Sequence, residues 1–134
     1  MKIYFADTNV FLRFLLKDNP KFTKKARSYF TLAKNKQIRI IVLSAIILEI
    51  EYVLRKVYSQ PRREIAKKIS SLVKSIYFEI EDRGLWLDSL ALYSKANLDL
   101  VDIFLFEKAK INGAEVLSFD QDFSKIKEGN HRMV

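Results

Sequence analysis

Short, β-rich apolar runs alternate with longer helical patterns along this chain, and that alternation most restricts the fold it can adopt. Ile3-Tyr4-Phe5-Ala6, Ile38-Arg39-Ile40-Ile41-Val42-Leu43, Ile76-Tyr77-Phe78-Glu79-Ile80 and Glu115-Val116-Leu117-Ser118-Phe119 have the length and side-chain content of buried strands. Between them the spacing predicts helices over about 10–16, 21–35, 44–58, 62–74, 82–96 and 99–112. Asp7-Thr8-Asn9 and Ser44 supply capping side chains, Asn19-Pro20 and Gln60-Pro61 interrupt, and Asn112-Gly113 is a helix stop. Strands separated by helices imply βαβ units and a parallel sheet. The expected fold is a three-layer α/β/α domain, with a central, mostly parallel sheet of four or five strands. One domain over residues 1–134 is expected, because 134 residues is a single domain's length. After Phe123 little argues for a closing edge strand.

Composition removes whole classes of chemistry. With no cysteine there is no disulfide scaffold, thiolate metal knuckle or thiol nucleophile, and a reducing, cytoplasmic setting is the default. The single histidine, His131, sits near the end of the chain, where a tail role is expected; a multi-histidine zinc site is excluded. Gly84, Gly113 and Gly129 are too dispersed for a phosphate-cradling loop. No apolar run is long enough to span a membrane, and the early Asp7 argues against a signal peptide. Carboxylates, hydroxyls, Lys and Arg remain.

Charge is unevenly spread. Residues 1–74 carry 17 Lys/Arg against 5 Asp/Glu, whereas residues 75–134 carry 7 against 11. A basic half attracts polyanions, RNA or DNA first, although two solvated basic helices explain it equally well.

In parallel α/β folds, ligands bind at the carboxyl ends of the strands, so acids just after strands matter most. Asp7 follows the first strand; Asp120 and Asp122 follow the last. Taken singly, such residues are more often helix caps or Asx turns. On the helix from 99, the expected buried stripe is Leu98, Val101, Leu105 and Ala109. Asp102 then lies about 60° from Leu105 and about 20° from Ala109, pointing inward. It is equally placed to favour the helix dipole, with Asp99 as the cap. On the 44–58 helix the expected stripe is Leu43, Ile47, Ile50, Leu54 and Val57; Glu49 and Glu51 flank it on opposite sides, and periodicity does not choose between them. Leu48 and Tyr52 on the far face suit deep burial or a subunit interface. Carboxylates converging at one sheet edge need a cation, and oxygen-only ligands favour Mg²⁺ or Mn²⁺. Beside a basic surface, that constellation suits metal-assisted phosphodiester hydrolysis.

These segments resemble the PIN-domain family and, within it, the small VapC-type toxins of prokaryotic toxin–antitoxin pairs. The resemblance lies in Ile3-Tyr4-Phe5-Ala6-Asp7-Thr8-Asn9-Val10, in Leu43-Ser44 leading to Glu49-Ile50-Glu51-Tyr52-Val53-Leu54, in Asp99-Leu100-Val101-Asp102-Ile103, and in Val116-Leu117-Ser118-Phe119-Asp120-Gln121-Asp122-Phe123. It implies that Asp7, Glu49, Asp102 and Asp120 hold Mg²⁺ or Mn²⁺ for endonucleolytic RNA cleavage. Asp7 and Asp102 would be the primary ligands; Glu49 is favoured over Glu51. Thr8, Asn9 or Ser118 would orient ligands or the scissile phosphate, and Ser118 stands where the family often has Thr. The resemblance further implies RNA-backbone contacts from Lys/Arg of 21–39 and 55–74, a homodimer, and an antitoxin covering the acidic site. The alternative expectation is a PIN-like module that binds RNA or protein without cutting; DNA hydrolysis by the same acids is a third. Residues 60–98 carry no family signature.

Overall fold

The computed structural model describes residues 1–119 and the backbone of 131–133. Its elements run β1 (Lys2–Phe5), α1 (Thr8–Leu16), α2 (Pro20–Lys34), β2 (Ile38–Val42), α3 (Ser44–Lys56), α4 (Arg62–Lys74), β3 (Glu79–Ile80), α5 (Arg83–Tyr93), α6 (Leu100–Ile111), β4 (Val116–Ser118) and β5 (His131–Met133). The alternation therefore folds as an α/β protein. The chain divides into two compact units, Met1–Arg83 and Gly84–Val134.

In the first unit a parallel sheet runs in the order β1-β2-β3, with Tyr4 opposite Ile40 and Val42 opposite Ile80. Its core is aromatic: Phe30 meets Phe78 edge-on with ring centroids 4.8 Å apart, and Phe11 meets Phe78 at 5.3 Å. On α3, Ile47, Ile50 and Leu54 are buried as the spacing predicts, but the ends of that stripe, Leu43 and Val57, are exposed, as is Tyr52. Asp7 caps α1 by accepting a hydrogen bond from the Val10 N–H at 3.3 Å, and Asn19 caps α2 in the same way through Phe22 N–H. Ser44 does not cap α3. It is the first helical residue, and its N–H donates to the Glu81 carboxylate at 2.8 Å.

Strand β3 is shorter than expected. Ile76, Tyr77 and Phe78 leave extended geometry for a turn in which Ser75 Oγ accepts from Tyr77 N–H. The Arg83 guanidinium binds the carbonyls of Val73, Ser75 and Phe78, holding that turn, and the Phe78 ring enters the core. One cross-strand pair spans β2 and β3: Arg39 Nε donates to Glu79 Oε2 at 2.6 Å. The hydrogen bond from Arg39 holds the Glu79 carboxyl below its ordinary value. A depressed carboxyl stabilises the fold above its unfolded pKa, and the contribution disappears as pH falls through the lowered native value. Glu79→Gln should therefore lower the urea midpoint at neutral pH, with the difference from wild type vanishing on the acid side.

In the second unit, Trp86 of α5 stacks on Phe104 of α6 with centroids 4.0 Å apart. The buried residues from α6 and its approach are Leu98, Leu100, Ile103 and Phe106; Val101 and Leu105 are about half exposed. The expected stripe is thus corrected. Residues 98–106 are apolar on nearly every side, so two stripes fit one period and packing selects the other. Asp99 occupies the N-cap without a side-chain capping bond, while Asn112 and Gly113, at φ +64°, close the helix as expected. Strand β4 pairs in parallel with β5, placing Val116 opposite His131 and Ser118 opposite Met133. A closing strand thus exists despite its weak pattern, and His131 belongs to it. Three residues joined through backbone hydrogen bonds need no apolar run. The five strands form one ladder of three and one of two among the described residues, a smaller sheet than the expected four or five strands.

Candidate metal and nucleic-acid site

Strand β1 ends at Phe5, one residue short of Asp7, whose role as the α1 cap fixes its backbone at the carboxyl edge of the sheet. Helix α3 brings Glu49 to the same place. Asp7, Thr8, Asn9, Leu12, Arg13, Glu49, Val53, Val57 and Tyr58 line one cavity of about 250 Å³. Both carboxylates are exposed toward solvent.

The structure separates the two glutamates that periodicity left equivalent. Glu51 is only 5% exposed and binds Arg55, one turn along α3, with Oε2 2.7 Å from Nε. A buried carboxylate engaged by a guanidinium is satisfied within the helix. Glu49 instead faces the cavity with Asp7.

Two further features belong to this cavity. Thr8 is buried, and its Oγ1 has no hydrogen-bond partner among the described residues. A buried hydroxyl nearly always finds a partner, so one left open beside two carboxylates offers a place for a ligand oxygen or water. Arg13, which sequence reasoning did not single out, also lines the cavity, its guanidinium held by Asp18 through two contacts of 3.1 Å. The signal was available: Arg13 follows Asn9 by four residues on α1, hence on the same helix face.

Asp102 stands in the first turn of α6 in the second unit and is half-buried. Ser118 ends β4 and is also half-buried. Asp120 and Asp122 lie outside the described residues. Among the described residues no three His, Asp or Glu side chains gather into a metal-holding group. The donors at the cavity are nonetheless all oxygen, hard and partly anionic, which fits Mg²⁺ or Mn²⁺ and not a soft metal. Among the described residues no helix is long and apolar enough to cross a membrane.

A family model covers this site together with most of the chain. The PIN domain model aligns with residues 4–129, and the chain belongs to the PIN domain family. A VapC ribonuclease from Aquifex aeolicus (strain VF5) is 28% identical over 121 residues, covering 90% of this chain and 89% of that protein.

Proposed function

We propose that the chain is a divalent-metal-dependent endoribonuclease, the toxin of a type II toxin–antitoxin pair, working as a single PIN domain over residues 1–134. The observation that carries this reading is the meeting of Asp7 and Glu49 at one cavity beside the open Thr8 hydroxyl. Membership of the PIN family and the similarity to a VapC ribonuclease supply the reaction class. In this reading Asp7, Glu49, Asp102 and Asp120 are the carboxylates that hold Mg²⁺ or Mn²⁺. The bound ion would lower the pKa of an attacking water and offset charge developing on the phosphate. Thr8 and Asn9 orient ligands, and Arg13, held in place by Asp18, offers its remaining N–H donors to the scissile phosphate.

Substrate attraction falls to the basic helices. Lys21, Lys24, Lys25 and Arg27 belong to α2; on α4, Lys67 and Lys74 line one hollow with Ser70, Ser71 and Ser75. Ammonium groups and hydroxyls along one helix face contact phosphates without reading sequence. A cytoplasmic homodimer, neutralised by an antitoxin that covers the acids, completes the proposal.

The two glutamates give a discriminating test. Glu49→Gln should lower RNA cleavage by more than about tenfold while leaving the melting temperature near that of wild type. Glu51→Gln should do the reverse, weakening the fold through lost pairing with Arg55 while retaining cleavage. Single-turnover cleavage and thermal melts of both variants check this. Equal cleavage by Glu49→Gln and wild type would remove Glu49 from the site.

A further inference from the structure

A second, larger hollow of about 610 Å³ adjoins the acidic cavity within the first unit. Asp7, Asn9 and Arg13 line both, so the two are neighbours on one surface. Aromatic rings from two elements make up much of its wall. Phe5 of β1 and Phe22 and Tyr29 of α2 contribute, and they remain 65%, 47% and 39% exposed. On α2, Phe22, Lys25, Ala26 and Tyr29 follow the i, i+3, i+4, i+7 spacing of one helix face. Lys25 lines the hollow with no carboxylate partner among the described residues, whereas the Arg13 guanidinium beside it is paired with Asp18.

Exposed rings clustered in a concave site mark a binding surface. An aliphatic peptide would ask for a branched aliphatic wall, yet here Val10 and Ile40 are the large aliphatic members and the exposed apolar members are rings. Flat rings bordered by Lys and Arg are what an unpaired base and its phosphates require. We propose that this hollow is a subsite for one unpaired nucleobase of the RNA. The base stacks against the α2 rings, and Lys25 meets a flanking phosphate as the strand runs on to Asp7. A base held in a duplex cannot enter, so the substrate class is single-stranded RNA or a loop. The subsite takes its place in catalysis from the ribonuclease reading, but its test does not depend on cleavage.

The test is equilibrium binding of a hexaribonucleotide carrying one 2-aminopurine, in chelator, so that no metal-dependent cutting occurs. Stacking should quench the probe's fluorescence on binding, and Phe22→Leu should weaken affinity by about tenfold and abolish most of the quench. A probe abasic at that position should bind wild type as poorly as the intact probe binds Phe22→Leu. The abasic comparison needs no variant, so it decides the matter even if Phe22→Leu folds badly. Equal affinity for abasic and intact probes would overturn the subsite. So would an absence of binding by well-folded wild type, which would leave the hollow to a protein partner. Base-dependent binding by a protein that never cuts RNA would keep the subsite and remove the ribonuclease reading.

Discussion

Asp7→Asn should abolish RNA cleavage while leaving the protein folded and able to bind RNA. The substitution separates two roles of one residue. Asn keeps the oxygen that accepts from Val10 N–H, and Asn and Asp are nearly equivalent as helix caps, so α1 is retained. What disappears is the negative charge that a divalent cation requires. Changes to groups that merely support a metal ligand already cost about 10–100-fold in activity or affinity. Removing a primary ligand should exceed that, giving at least about a hundredfold loss in single-turnover rate. Asp7→Ala should lose cleavage equally but also lose about 1 kcal/mol of stability with the cap. Cleavage by Asp7→Asn at the wild-type rate would exclude the site.

The largest effect on stability should come from Trp86→Ala. Trp86 is fully buried and lies almost parallel to Phe104, the rings inclined by 18°. Truncation removes that stack and leaves a cavity that α5 and α6 cannot fill by small shifts. Large aromatic-to-alanine changes in cores cost about 3–5 kcal/mol. Against a total of about 5–15 kcal/mol, that brings the variant close to unfolding at ordinary temperature. Leu105→Ala, on the solvent side of α6, should change stability by only about 0.5 kcal/mol. Urea titrations of the two variants check both figures. A larger loss from Leu105→Ala than from Trp86→Ala would place the core on the other face of α6.

How much of this was readable before folding differs from element to element. Asp7 was legible because a strand ending in Asp-Thr-Asn must place the acid both at the sheet edge and at a helix start. Glu49 and Glu51 were not separable by periodicity, because each sits about 100° from the same stripe. The distinguishing feature was electrostatic and local: Arg55 stands four residues after Glu51, whereas Val53 stands four after Glu49. Helix α6 was misread for a different reason. Its apolar residues surround the axis, so the pattern carries no phase, and only packing chooses Ile103 and Phe106 over Val101 and Leu105. Strand β5 and the shortening of β3 depend on backbone pairing and on the reach of the Arg83 guanidinium, neither of which leaves a hydrophobic period. The Thr8 hydroxyl gave no sequence signal beyond its place in the motif, since burial without a partner is a property of the folded cavity alone.

The most direct measurement is cleavage of a structured RNA pool by purified, antitoxin-free protein with Mg²⁺ or Mn²⁺, with chelator, and beside folded Asp7→Asn. Cutting is expected with either ion, none in chelator, recovery when the ion is restored, and none from the variant under any condition. Cutting that persists in chelator, or that Asp7→Asn performs as well as wild type, would contradict that expectation.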